Sequence, residues 1–154
     1  MKTKLIFGAI ALSVLSGCAT VPTADKAEST KLKQFAEPAE GMAGVYVYRD
    51  NSSVGAALKK DVYINGDCVG ETAPGVFFYQ QVSGNQEHTI STESEFSAND
   101  LTLYTEEGRN YFVQQYIKLG VFVGGAALEQ VEEQTGKAEV TKTDLAIQGT
   151  CTSM

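Results

Sequence analysis

Histidine is nearly absent. His88 is the only imidazole in 154 residues, so any Ser-His-Asp or Cys-His mechanism would have to pass through that one side chain. It sits in Gln86-Glu87-His88-Thr89-Ile90, which reads as the start of a strand, a setting where a histidine hydrogen-bonds locally, and nothing nearby resembles a nucleophile's environment. Cysteine is scarce as well: Cys68, Cys151 and His88 make at most three zinc ligands with no paired spacing, so no metal and no cofactor are expected. Basic residues are outnumbered, 12 Lys and Arg against 19 Asp and Glu, and the resulting net charge of −7 disfavours nucleic acid. No apolar run reaches the roughly 20 residues that a transmembrane helix requires. The glycines of 120–125 come with neither a Walker lysine nor a dinucleotide fingerprint. Glu129, Glu132 and Glu133 lack the ligand spacing of a calcium loop, and Glu93 with Glu95, two apart on a strand, read as a solvated face rather than a glycosidase pair.

What is present begins at the N-terminus. Lys2 and Lys4 precede an apolar run from Leu5 to Leu15, the charge order and length of a secretory signal peptide. Leu15-Ser16-Gly17-Cys18 resembles the lipobox of bacterial lipoproteins, which implies cleavage after residue 17 and lipid on Cys18. Ala19 at the next position resembles the sorting signal of lipoproteins held at the outer membrane, facing the periplasm. Without residues 1–17 the balance becomes 10 basic against 19 acidic side chains, or −9. With Cys18 committed to lipid, Cys68 and Cys151 form an even pair in a chain that leaves the reducing cytosol, so a disulfide is plausible, with two separate thiols as the alternative.

Residues 18–41 show little apolar periodicity and read as a lipidated cysteine followed by a flexible linker of roughly 25 to 30 Å reach. A short helix across Ala24–Ala36 is the weaker alternative, and Leu32 and Phe35 are the first sizeable apolar side chains to meet the domain. From residue 42 to 154 the texture is that of one β domain. Val45-Tyr46-Val47-Tyr48 is β-branched and aromatic throughout. Asp61 to Ile64, Asn65-Gly66 and Asp67 to Gly70 form a two-residue hairpin signal, expected to set Val62 against Val69 and Tyr63 against Cys68. Val76–Val82 and 87–96 read as a second hairpin about Ser83-Gly84-Asn85, and Leu101–Tyr104 with Tyr111–Leu119 as a third about Gly108. The segment 120–145 fits a strand followed by a short C-terminal helix, or another hairpin. About seven short strands at even spacing suggest an all-β fold, a small antiparallel sandwich of the immunoglobulin or prealbumin kind in preference to a small barrel.

The strings Gly44-Val45-Tyr46-Val47-Tyr48-Arg49, Val62-Tyr63-Ile64-Asn65-Gly66, His88-Thr89-Ile90, Glu107-Gly108-Arg109-Asn110-Tyr111-Phe112-Val113 and Leu128-Glu129-Gln130-Val131 resemble an uncharacterised family of bacterial lipoproteins whose domain has no known function. The hairpin is also similar to the small β-sandwich modules called PEGA domains, although Ser83-Gly84-Asn85 stands where their Pro-Gly is usual. The resemblance implies fold and location and carries no catalytic residues.

Two roles follow as expectations. One is a lipid-anchored, non-catalytic envelope module that meets another envelope protein or a second copy of itself. The other is a polysaccharide or peptidoglycan binder, for which Tyr46, Tyr48 and Tyr63 would share an exposed face of flat rings with hydroxyls, and Arg49 would help to position the ligand. The competing use of those tyrosines is packing against a second layer, and that of Arg49 is a local turn contact beside Asp50.

Overall fold

A computed structural model describes residues 17–94, 98–122 and 124–152. The expected signal peptide, except for Gly17, lies outside the described residues. The described chain runs α1 (Lys26–Leu32), β1 (Met42–Arg49), β2 (Lys60–Ile64), β3 (Asp67–Thr72), β4 (Val76–Ser83), β5 (Gln86–Glu93), β6 (Ala98–Thr105), β7 (Asn110–Lys118), β8 (Gly125–Val131), α2 (Glu133–Thr141) and β9 (Asp144–Leu145). These strands form a small sandwich. One sheet has the order β8-β7-β1-β4-β9 and the other β3-β2-β5-β6.

Strand β1 is central, and every residue from Ala43 to Arg49 is buried. Successive side chains of a strand point to opposite faces, so burial of both sets requires a layer on each side. Val45 and Val47 face the second sheet, where they join Val62, Ile64, Phe78, Ile90, Leu103 and Val113 in the inter-sheet core. Tyr46 and Tyr48 face outward into a separate apolar cluster with Phe77, Phe112, Val140 and Leu145, closed from outside by Leu32 and Phe35. The molecule therefore has three layers: four strands, five strands, and an outer layer containing the α1 segment and α2.

That outer layer corrects the reading of 18–41 as a flexible linker. Asp25 caps α1, its carboxylate accepting from the Glu28 N–H at 2.8 Å. Thr23 bridges Ala146, and the Ala24 N–H donates to the Leu145 carbonyl at 2.9 Å. Phe35 adopts a left-handed backbone, φ 52°, and sets its ring edge-on to Tyr46 and Phe112 at centroid distances of 5.4 and 5.7 Å. Asn110 then holds the chain beyond it, its side-chain amide donating to the carbonyls of Phe35 and Ala36 at 3.2 and 3.0 Å. The few apolar side chains of the segment are the ones that dock.

Two strand pairings also differ from the sequence reading. β4 and β5 lie in different sheets, as do β6 and β7, so the turns at 83–85 and 106–109 cross the sandwich instead of closing hairpins. The two crossings pack on each other: a Cβ at Gly84 would sit 2.6 Å from the Glu107 Cα. The hairpins are β2–β3, β5–β6 and β7–β8. The sandwich is not wholly antiparallel, since β1 runs parallel to β7 and β4 parallel to β9. Alternation reports which residues face a core and is silent on which strand lies alongside. In the β2–β3 hairpin Tyr63 pairs with Cys68 as expected, but a bulge shifts Val62 onto Gly70. Gly70, at φ 150°, is needed there because a side chain would meet the Phe78 ring at 2.7 Å. In the last segment, strand β8 is followed by the short helix α2.

Candidate functional site

The candidate site is the end of the sandwich at which Cys18 emerges. By register, Arg49 lies beside Val76 and Lys118 beside Gly125, so the 50–59 loop, the β3–β4 turn and the β7–β8 loop share this end. Met42, Ser83 and Asn110 mark the opposite one. At about 3.3 Å per residue the two ends of β1 stand roughly 25 Å apart.

Cys18 is exposed and is the one free cysteine among the described residues. Its successor is already fixed, the Ala19 N–H donating to the Ala56 carbonyl at 2.7 Å. Ala56 belongs to a loop that Arg49 organises. Arg49 is 2% exposed, and its guanidinium donates to the carbonyls of Leu58 and Gly55 at 2.7 and 2.6 Å. Burial lowers its proton affinity while Asp50 acts in the opposite direction. Two carbonyl acceptors suit a planar, forked donor held away from water. Arg49 is thus a structural organiser of the loop rather than an open ligand contact.

Nor do the tyrosines form an exposed face. Tyr46, Tyr48 and Tyr63 are 1%, 0% and 6% exposed, and Tyr63 lies on the other sheet. Tyr46 stacks on Phe112 at 5.0 Å with planes 12° apart, and its hydroxyl donates to the Leu32 carbonyl at 2.9 Å. Burial pushes its pKa up, with Tyr79 adding to the effect. Tyr48 is pushed up to about 12 by burial first and then by Glu139, Asp50 and Glu129. Its hydroxyl has no hydrogen-bond partner among the described residues. Tyr63 donates to Asp61 Oδ2 at 3.3 Å, and burial with that neighbouring carboxylate raises its pKa. The α1 segment and α2, absent from a picture of strands alone, cover Tyr46 and Tyr48.

Cys68 and Cys151 form a disulfide, their Cα atoms 6.1 Å apart. The bond fastens the C-terminal tail across one side of the sandwich: Gly149 N–H donates to the Val69 carbonyl at 2.8 Å, and Thr152 N–H to Asp61 Oδ2 at 3.0 Å. Sequence reasoning missed a polar bridge inside the core. Gln115 of β7 is fully buried, and its amide donates to Thr92 Oγ1 at 2.7 Å and to the Asp61 carbonyl at 3.3 Å, while its oxygen meets the Thr72 hydroxyl. It ties the five-stranded sheet to three strands of the other. The signal was a glutamine two residues after Val113 and two before Ile117, on the strand face that is otherwise apolar.

His88 uses both ring nitrogens locally. Asn65 Nδ2 is a donor only, so His88 Nδ1 accepts from it at 2.8 Å, and Nε2–H donates to the Ser83 carbonyl at 2.8 Å. It thereby joins the Asn65-Gly66 turn to the first crossing between sheets. His88, Asn65, Met42 and Gln81 also line an open depression of about 420 Å³ at the end remote from Cys18, and a second of about 660 Å³ lies there between Arg109, Asn110, Val131 and Glu133. Among the described residues no group of three or more His, Cys, Asp or Glu could hold a metal ion, and no helix is long and apolar enough to cross a membrane.

Residues 39–126 match the model of a family described as a protein of unknown function, DUF2846. The chain is also 55% identical over 134 residues to an uncharacterized protein of Haemophilus influenzae, covering 87% of this chain and 79% of that one. No solved structure matches.

Proposed function

We propose that this chain, which belongs to the DUF2846 family of unknown function, is a lipid-anchored, non-catalytic envelope protein that works through protein contacts at the outer membrane, facing the periplasm. The observation that carries the reading is the division of labour among its cysteines. Cys68 and Cys151 are joined, as suits an oxidising compartment, and the third, Cys18, stands exposed at the edge of the fold where a lipobox-like sequence places a lipid.

Membrane attachment at Cys18 leaves the remote end facing the aqueous compartment, with its two open depressions. That end is where an envelope protein or a second copy would be met. The local engagement of both His88 nitrogens supports a structural role for the one imidazole. Burial of Tyr46, Tyr48 and Tyr63 removes the aromatic face on which the polysaccharide alternative rested.

The test is crosslinking of the lipidated protein in intact cells, with a parallel assay on purified cell-wall polymer. The reading expects a reproducible protein crosslink, lost on charge reversal at Arg109 and Glu133 on the rim of the larger depression. Recovery with polymer alone would contradict it.

A further inference from the structure

Seven large apolar side chains are strongly exposed among the described residues, and four of them crowd the Cys18 end: Leu119 at 91%, Phe122 at 83%, Val121 at 77% and Val54 at 48%. Three belong to the β7–β8 loop, whose sequence Leu119 to Gly125 contains no charged or polar side chain. Leaving such a cluster in water is unfavourable, and contiguous apolar exposure of this kind marks a contact surface.

The contacts around this loop indicate what covers it. Ala19 is hydrogen-bonded to Ala56. The neighbouring Gly55 lies so close to Ile117 that a Cβ there would sit 2.6 Å from its Cγ1, and Leu58 Cδ1 would be 2.7 Å from a Cβ at Gly124. Cys18, the 50–59 loop and the base of the β7–β8 loop therefore form one continuous surface. Consecutive Cα atoms are about 3.8 Å apart, so a lipid on Cys18 begins one residue from the folded body, with no tether to hold this end away from the leaflet. An apolar loop beside an acyl anchor meets the membrane interface before it meets anything else.

We propose that Leu119, Val121 and Phe122, with Val54 beside them, enter the interfacial region of the same leaflet that receives the lipid on Cys18, and so set the domain end-on to the membrane. The inference rests on the lipid-anchor reading and deepens it: one point of attachment would let the domain pivot, whereas two fix which end faces away.

The chain contains no tryptophan, so Phe122→Trp places a single reporter in the loop, and Tyr104→Trp, at an exposed position toward the remote end of β6, serves as its control. The full-length protein, processed in a bacterial host, is purified with its lipid into vesicles of phosphatidylethanolamine and phosphatidylglycerol. The expected result is blue-shifted emission for the tryptophan at 122 and loss of its intensity when the acyl chains are brominated, with neither change at 104. Emission at 122 as water-like as at 104 and indifferent to bromine overturns the proposal, and so does shielding from an aqueous quencher without bromine quenching, which would assign the loop to another protein chain. The mass of the N-terminal peptide from the same samples reads the anchor separately. Acylated Cys18 with no bromine quenching sinks the loop contact alone. Unmodified Cys18 sinks the anchor reading, and the loop contact is then decided by whether the reporter at 122 meets bromine when that chain is added to vesicles.

Discussion

The hydroxyl of Tyr46 donates to the carbonyl of Leu32 at 2.9 Å, fastening the central strand to the segment that follows Cys18. Tyr46→Phe deletes this buried bond and leaves the carbonyl without its donor, at a cost of about 1 kcal/mol. Phe35→Ala, which empties the contact with Tyr46 and Phe112, costs about 2 kcal/mol in lost apolar burial. Hydrogen exchange should show amides of 26–36 losing protection in Phe35→Ala while β2 and β5 keep theirs. Equal loss everywhere would mean that the segment and the sandwich unfold as one unit.

Gly136 is a helix-interior glycine with a packing reason. A Cβ there would overlap Phe112 Cβ and Cγ, which lie close to the β7 backbone and have little room to give. Helix propensity alone favours Gly136→Ala by about 1 kcal/mol, whereas overpacking of a tight contact costs about 1–3 kcal/mol. The clash wins, so denaturant unfolding should find Gly136→Ala less stable than wild type, and a gain in stability would refute the contact.

The disulfide links positions 83 residues apart. In the chain-entropy model a loop of that size corresponds to roughly 4.5 kcal/mol of stabilisation. Cys68→Ser with Cys151→Ser should therefore shift the urea midpoint down markedly and loosen the tail, releasing Thr152 from Asp61. The single and double variants should be equally destabilised, because either one removes the same bond.

Alkaline sensitivity follows from the buried tyrosines. Tyrosine in an unfolded chain ionises at about pH 10, while Tyr48 in the fold is pushed up to about 12 and Tyr46 is raised as well. Between those values the folded protein keeps protons that the unfolded chain has released, so stability is full below about pH 10 and falls as pH rises toward 12. Phenolate absorbance should show these groups ionising together with loss of the fold, and Tyr48→Phe should flatten the decline. A smooth titration of all seven tyrosines near pH 10 with the fold intact would contradict the burial.

Much of the fold was legible because strands announce themselves by alternation and glycine by its turns. Asn65-Gly66, with φ of 55° and 85°, makes the turn its sequence predicts. The neighbour of each strand was not legible, since Ser83-Gly84-Asn85 serves a crossing between sheets as readily as a hairpin. The helices of the outer layer were legible only as alternatives, for a different reason. Asp25 and Glu28 form a capping pair that marks a helix start, yet α1 is short and carries too few apolar residues to show a period. Reading that segment as a linker made Tyr46 and Tyr48 look available, although Val45 and Val47, which alternate with them, are equally apolar and a strand apolar on both faces is buried on both. The lipid proposed on Cys18 is carried by four residues of sequence, Leu15 to Cys18, whereas the exposed β7–β8 loop beside it required the register of β7 and β8.

The central claim is that Cys18 is the membrane attachment point, and the most direct measurement is the mass of the N-terminal peptide of the protein isolated from the cell envelope. The account predicts a chain that begins at Cys18 and carries acyl groups on it, with Cys18→Ala leaving residues 1–17 in place and no added lipid. A mature chain that begins elsewhere, or a Cys18 with an unmodified thiol, would contradict it.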